Sequence, residues 1–294
     1  MPTPTPNERL FLRLDDDPVH GPEANAPAGT LCAFDVSAPL RRHVSHILVC
    51  RETIPAGGEV MERVLPDGAV RLIFNLAQPP SVNGTAGQPV EAVGASATPV
   101  VVRMRGRVEG ITVTQRAGAA AAVLGLPAGE IADSAVPLQA LWRGEADAVL
   151  ERLGEAPDDE TRVAVLTDAL QRRMLGSDMA THAAAMHAAG LIAASSGRRP
   201  LREVAATVGV GERRLQQIFH AHVGLSPRAW SRLARLHGCL RALRLHTPPA
   251  WSELAVDSGF YDQSHLVNEF RALCGLTPTE FLAHSASGSS KTGA

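Results

Sequence analysis

Nine polar side chains, in two short runs toward the C-terminal end, have the types and spacing to read a surface of alternating donors and acceptors. The first run is Arg213, Gln216, Gln217 and His220; the second is Gln263, Ser264, His265, Asn268 and Arg271. Gln and Asn present a donor and an acceptor side by side, which matches the major-groove edge of adenine; Arg matches guanine or a phosphate. Spacings of three and four residues gather such groups on one face of a helix. The chemistry on offer is recognition by hydrogen bonding.

A helix that presents these groups must bury its opposite face, and the sequence supplies that arrangement twice. Leu201-Arg-Glu-Val-Ala-Ala-Thr-Val-Gly209, Leu215-Gln-Gln-Ile-Phe219 and Gly224-Leu-Ser-Pro227 form the first copy. Trp251-Ser-Glu-Leu-Ala-Val-Asp-Ser-Gly259, Leu266-Val-Asn-Glu-Phe270 and Gly275-Leu-Thr-Pro278 form the second. The offset is 50 up to the glycines and 51 after them, so the second turn holds one added residue. Repetition at a fixed period marks one supersecondary unit used twice. In the first copy Val204, Ala205 and Val208 give a short helix an apolar face, and Gly209 stops it with a left-handed residue. Leu215, Ile218, Phe219 and Val223 give the second helix its inward stripe. Helix, glycine turn, helix is the arrangement whose second helix enters a DNA major groove. A plain helical hairpin is the competing reading, and the matched small residues and polar outward positions of both copies weigh against it.

The segment between the copies sets their geometry. Ser226 is placed to cap and Pro227 to open a helix that no proline interrupts before Pro248. Trp230, Leu233, His237, Leu240 and Leu243 fall along one side of it. A helix from Arg228 to His246 would be about 28 Å long, close to the ~34 Å that separates successive major-groove faces. Arg228, Arg232 and Arg235, at i, i+4 and i+7, are expected to meet backbone phosphates or to stand in solvent. Thr277-Pro-Thr-Glu280 reads as a capping box opening a further helix.

The second copy resembles the AraC/XylS family of bacterial transcription regulators. The residues that carry the resemblance are Asp257-Ser-Gly259-Phe-Tyr-Asp262-Gln263-Ser264-His265-Leu266, Phe270-Arg271, Gly275-Leu-Thr-Pro278 and Phe281, and the first copy agrees with it. The resemblance covers about residues 178–284. It implies double-stranded DNA as partner, with Arg213, Gln216, Gln217, Ser264 and Asn268 at base-facing positions. Gln263 and His265 would touch phosphate or cap their helix. Leu65-Pro-Asp-Gly-Ala-Val-Arg-Leu-Ile-Phe-Asn-Leu76 is similar to the N-terminal domain of one branch of that family. The same branch carries a Gly-x-x-x-x-Pro-Gly phrase; here Gly110 to Gly118 has Ala117 where proline is expected. Many relatives bind an effector in a cupin-like barrel, but the residues assign no effector site here.

Before the repeats, residues 1–40 are rich in Pro, Asp and Gly and predict an arm with little regular structure. Short apolar or alternating runs at 47–50, 69–76, 98–105 and 110–115, parted by turn residues, predict strands. Helices follow: Ala119–Leu124 ending at Gly125, a short anchor Leu138–Trp142, and a pair whose stripes are Ala146, Val149, Leu150, Leu153 and Val163, Leu166, Leu170, Met174. The pair, broken by Pro157, would cover the β-domain or support a dimer, and any coupling to DNA would run through it. Gly176-Ser-Asp178 reads as a junction and Met179–Ser196 as the next helix. The expected fold class is α+β: an N-terminal β-rich, barrel-like domain with helical support, then an all-α domain of two helix-turn-helix units joined by a linker helix. The expected domains are the arm over 1–40, a regulatory or dimerisation domain over 41–177, the DNA-binding domain over 178–285 and a flexible tail over 286–294.

Composition is that of an ordinary folded chain, with 45% hydrophobic and 20% charged residues among 294. The net charge of −2 hides an asymmetry: residues 198–281 hold 11 Arg and 7 acidic residues, which leaves them at +4 and the remainder at about −6. That suits a DNA-binding end on an acidic sensor. Cys32, Cys50, Cys239 and Cys274 are scattered without a C-x-x-C, which predicts reduced thiols and a cytoplasmic protein. No leader or membrane-length apolar run is apparent. The histidines lack metal-ligand spacing, so neither metal nor cofactor is expected. Arg103, Arg105 and Arg107 alternate as a solvated face or, alternatively, an anion-binding wall. No nucleophile elbow, phosphate loop or carboxylate pair is present, and no enzyme activity is expected. The alternatives are an enzyme with a catalytic N-terminal β-domain and an appended DNA-binding module, or an architectural helical repeat. Further expected partners are a small-molecule effector, a second copy in a homodimer and, for an activator, RNA polymerase.

Overall fold

The computed structural model of the chain describes residues 8–13, 26–174, 179–245 and 250–289. The junction expected at Gly176–Asp178 and the end expected for the linker helix at His246 lie outside the described residues. The strands are β1 (Arg9–Phe11), β2 (Leu31–Phe34), β3 (Val44–Thr53), β4 (Val60–Val64), β5 (Arg71–Asn75), β6 (Ser81–Val82), β7 (Thr85–Ala86), β8 (Val90–Val93), β9 (Val100–Met104), β10 (Arg107–Gln115) and β11 (Ala135–Pro137). They form a five-stranded sheet in the order β1-β4-β9-β6-β7 and a six-stranded sheet in the order β11-β8-β5-β10-β3-β2.

The two longest strands, β3 and β10, pair antiparallel with Ile111 opposite Val49 and Val113 opposite Ile47. Because successive side chains point to opposite faces, that register places Ile47, Val49, Leu72, Phe74, Ile111 and Val113 together on one side. All six are almost inaccessible to solvent. The expected strands at 47–50, 69–76, 98–105 and 110–115 correspond to β3, β5, β9 and β10. Within residues 1–40, expected to hold little regular structure, the described residues include the short strands β1 and β2. β1 runs parallel to β4, with Leu10 and Leu12 buried, and β2 extends the edge of β3. Two alternating leucines suffice to bury so short a strand, whatever the composition around it.

Helices α1 (Ala120–Leu124), α2 (Gln139–Trp142), α3 (Gly144–Glu155) and α4 (Asp159–Met174) follow. Gly125, at φ 78°, ends α1 as expected. Trp142 is buried, and its indole N–H donates to the Val123 carbonyl at 3.0 Å. α3 and α4 bury Ala146, Val149, Leu153, Val165, Leu166 and Leu170 in the core shared with the strands, so the pair covers the β-domain. Ion pairs pin it there: Arg51 Nη1 donates to Asp159 at 2.6 Å, and Arg162 Nη1 to Glu109 at 2.9 Å. Burial alone would raise the Glu109 carboxyl, but Arg162, Arg107 and Arg51 together hold it below its ordinary range.

The regular elements that follow among the described residues are all helices: α5 (Met179–Ala194), α6 (Leu201–Thr207), α7 (Glu212–His222), α8 (Pro227–Leu245), α9 (Trp251–Asp257), α10 (Gln263–Cys274) and α11 (Pro278–Ser289). The capping box expected before α11 is formed in both directions. Thr277 N–H donates to Glu280 Oε2 at 2.6 Å, and Glu280 N–H to Thr277 Oγ1 at 3.2 Å. These bonds from the Thr277 backbone and hydroxyl keep the Glu280 carboxyl below its ordinary range. α11 continues to Ser289, which corrects the expected start of a flexible tail at 286. One continuous set of buried apolar side chains runs from Phe74 and Trp142 to Phe219, Leu240 and Phe281. The fold class is α+β.

Candidate nucleic-acid interface

The two repeats fold into the same turn. In the first, Gly209 lies at φ 75°, its N–H donates to the Ala206 carbonyl at 3.1 Å, and Val210 N–H donates to Ala205 at 2.9 Å. In the second, Gly259 lies at φ 78°, its N–H donates to Val256 at 2.9 Å, and Phe260 N–H donates to Ala255 at 2.8 Å. Only glycine takes this backbone without strain, which is why both copies keep it. Ala205 and Ala255 are buried, as expected of small residues on the inward face of the first helix of each pair. Leu215, Ile218 and Phe219 bury one face of α7, and Leu266, Phe270 and Leu273 bury one face of α10.

The opposite faces carry the expected side chains. Arg213, Gln216, Gln217 and His220 are exposed on α7, and Gln263, Ser264, Asn268 and Arg271 on α10. His265 is half-buried and engaged at the helix start. Its backbone N–H donates to Asp262 Oδ1 at 2.7 Å, and its Nδ1 accepts the Tyr261 N–H at 3.2 Å. The ring stands edge-on to Phe260 at 5.6 Å. Of the two roles expected for His265, the structure holds it in the cap.

His220 has a neighbour that the sequence did not suggest. A short 3-10 turn of the N-terminal unit, Ala128–Ile131, packs against α7. The His220 ring lies so close over Gly129 that a Cβ there would be 2.5 Å from Nε2. His220, expected among the outward side chains of the reading helix, thus also packs on the N-terminal unit at the C-terminal end of α7. The linker arginines divide too. Arg228 is exposed and makes no ion pair among the described residues. Arg232 forks onto Glu269 of α10, with Nε to Oε2 at 2.8 Å and Nη2 to Oε1 at 3.1 Å. Arg235 is half-buried, with its guanidinium 5.7 Å from the Phe260 ring and Nη2 donating to the Gly197 carbonyl at 3.4 Å. Of the two alternatives held for the linker arginines, phosphate contact or solvation, neither describes Arg232 and Arg235 in full, because both also join α8 to the second unit. Arg198 adds a third link by donating to the Asp257 carbonyl at 3.1 Å.

Two exposed residues were passed over. Arg214 stands beside Gln217 on α7, with Nη1 donating to Oε1 at 3.4 Å. Tyr261 is 88% exposed in the turn before α10. The change of offset from 50 to 51 was the signal for it, since this turn is where the second copy holds its added residue. Arg103 and Arg105 flank Glu59, at 3.7 and 3.2 Å, along an open groove of about 370 Å³ that also includes Gln78 and Ser81. Arg107 pairs with Glu109. Among the described residues, no three His, Cys, Asp or Glu side chains gather so as to hold a metal, and no helix is long and apolar enough to cross a membrane.

Comparison with known proteins gives two family matches. Residues 204–284 match the family described as helix-turn-helix domain, and residues 34–137 match a domain of unknown function, DUF6597. No curated protein matches the chain in sequence. Among solved structures, ToxT from Vibrio cholerae O395 superposes with a TM-score of 0.43 at 11% identity, over 84% of this chain and 98% of that one. A second ToxT crystal form from Vibrio cholerae gives 0.42 at 10% identity, over 81% and 97%. Wild-type ToxT from strain SCE256, solved with an unsaturated fatty acid bound, gives 0.42 at 10%, over 80% and 94%.

Proposed function

We propose that the protein is a sequence-specific DNA-binding transcription regulator of the AraC type that inserts α7 and α10 into adjacent major-groove segments, a reading supported by the match of residues 204–284 to a helix-turn-helix domain. The observation that carries this reading is the duplicated turn. Two units with matching hydrogen bonds and left-handed glycines each present an exposed polar helix face, and a 19-residue helix joins them. At about 1.5 Å per residue α8 spans some 28 Å, which suits two faces one duplex turn apart.

Arg213, Gln216 and Gln217 on α7, with Ser264 and Asn268 on α10, are assigned to base edges. Arg214, Arg228, Gln263, Arg271 and the exposed Tyr261 are assigned to the sugar-phosphate backbone, where charge and donors fix register without reading sequence. Residues 178–285 form the DNA-binding domain in this reading, and 41–177 a regulatory domain that answers to a small molecule or to pairing with a second copy. The protein would work in the cytoplasm, with RNA polymerase as partner if it activates.

The test is selection of DNA fragments from the source genome by the purified full chain, followed by titration at several salt concentrations. The expected result is enrichment of a bipartite sequence with half-sites one turn apart, bound less tightly as salt rises. Fragments enriched without a common sequence, or binding indifferent to salt, would refute the proposal.

A further inference from the structure

The phrase Leu65-Pro-Asp-Gly68 lies between β4 and β5, and its position is informative. Leu65 and Gly68 are buried, with Gly68 at φ 72°. Asp67 makes the turn stiff: Oδ1 accepts the Ala69 N–H at 2.9 Å and Oδ2 pairs with Arg71 at 2.5 Å. The turn is pressed against α8. A Cβ on Gly68 would be 2.6 Å from Cζ3 of Trp230 and 2.9 Å from Cδ1 of Leu233. One turn further along, Nε2 of the buried His237 lies 3.0 Å from the Pro66 carbonyl. Trp230 in turn donates its indole N–H to Ala189 of α5 at 3.1 Å. The apolar stripe that the sequence placed along one side of the linker helix is thus the surface on which this turn sits.

The second glycine phrase behaves alike. Gly118, at φ 94°, leaves no room for a Cβ, which would be 2.7 Å from the Met186 nitrogen of α5. α3 and α4, where coupling between the units was expected, pack instead on the strands. α8 touches α5, α7, α9 and α10, so whatever fixes α8 fixes both reading helices.

We infer that the 65–68 turn sets the separation and rotation of α7 and α10 by clamping the linker helix, with Gly68 and His237 as positioning residues for DNA recognition. This rests on the function proposed above. Two readers on a rigid frame strongly prefer one half-site spacing, whereas a loosened frame tolerates others and loses effective concentration at the native one. A clamp of this kind acts on spacing and not on either half-site alone.

The test uses the full chain, the fragment recovered by genomic selection, the same duplex with one base pair inserted between the half-sites, and duplexes carrying a single half-site. Gly68→Asn keeps a residue that tolerates positive φ but adds a Cβ against Trp230. His237→Leu removes the contact with Pro66, and His237→Gln restores a donor. The expected result is that Gly68→Asn and His237→Leu reduce the preference for native spacing about fivefold or more while changing single half-site affinity less than about twofold. His237→Gln should keep the wild-type preference. Should Gly68→Asn fail to fold, the His237 pair decides. Folded variants that retain the wild-type spacing preference would overturn the inference and leave the DNA reading intact. A wild-type chain that selects no sequence would remove both.

Discussion

The two helix-turn-helix units share a turn, yet they are held in the molecule by different means. The first, α6 and α7, opens its reading helix at Gly211 without a side-chain cap. Its outer end rests on the N-terminal unit, through His220 on Gly129 and through Gly224 beside Ala95 and Ala128. The second, α9 and α10, is capped by Asp262 at the start and by left-handed Gly275 at the end. Arginines tether it to the linker and to residues 197–198. The first reader is thus positioned by a neighbouring domain and the second by its own charges and caps. A change in the N-terminal unit would therefore reach α7 directly, and α10 through α8 and through α11, which packs on β1.

Exchanging the turn glycines gives the largest expected effect. Gly209→Val and Gly259→Val each force a β-branched residue into the left-handed region, a strain of about 1–3 kcal/mol. A Cβ at 209 meets nothing within 4 Å, whereas one at 259 would lie 2.9 Å from Arg198 Cγ and disturb its bond to Asp257. Gly259→Val should lower the melting temperature more, and it should erase the footprint over one half-site. Equal melting losses would show that Arg198 yields freely. An unchanged melting temperature in both would mean that neither turn matters.

Next come the reading side chains. Gln217→Ala and Asn268→Ala should each cost about 1–3 kcal/mol of base discrimination, at opposite half-sites, with less loss of nonspecific affinity. Unchanged selectivity in a competition assay would reject the assignment. Asp262→Ala should destabilise by about 1 kcal/mol through loss of the N-cap, with no equivalent available in the uncapped first unit. Smallest is the tie between Arg232 and Glu269. With the arginine nearly half exposed, a double-mutant cycle in chemical denaturation should give a coupling of about 0.2–1 kcal/mol that fades with salt. A larger, salt-insensitive coupling would mean that the pair is more shielded than its exposure implies.

The helical half was legible because its signals are local. A glycine after a short amphipathic helix, or Thr277 three residues before Glu280, states its own conformation. Strands such as β3 and β10 were visible through their apolar runs. The partners of Arg232 and Arg235 were not legible because a guanidinium suited to phosphate is equally suited to a carboxylate or an aromatic face, and Glu269 is 37 residues distant. β1 escaped because three residues cannot show a period, and its pairing with β4 is set by chain folding far from the sequence neighbourhood. The seat of His220 depends on Gly129, about ninety residues earlier, which no helical pattern can announce.

The aromatic and imidazole surface of α8 carries one more implication, for attempts to graft this DNA-binding half onto a foreign sensor. Cut away from Pro66 and Gly68, it would show Trp230 and His237 to water, an apolar strip that this turn now covers. A chimera would have to bring its own cover for that strip, and one borrowed without a glycine turn of the same shape would collide with the indole before the interface closed.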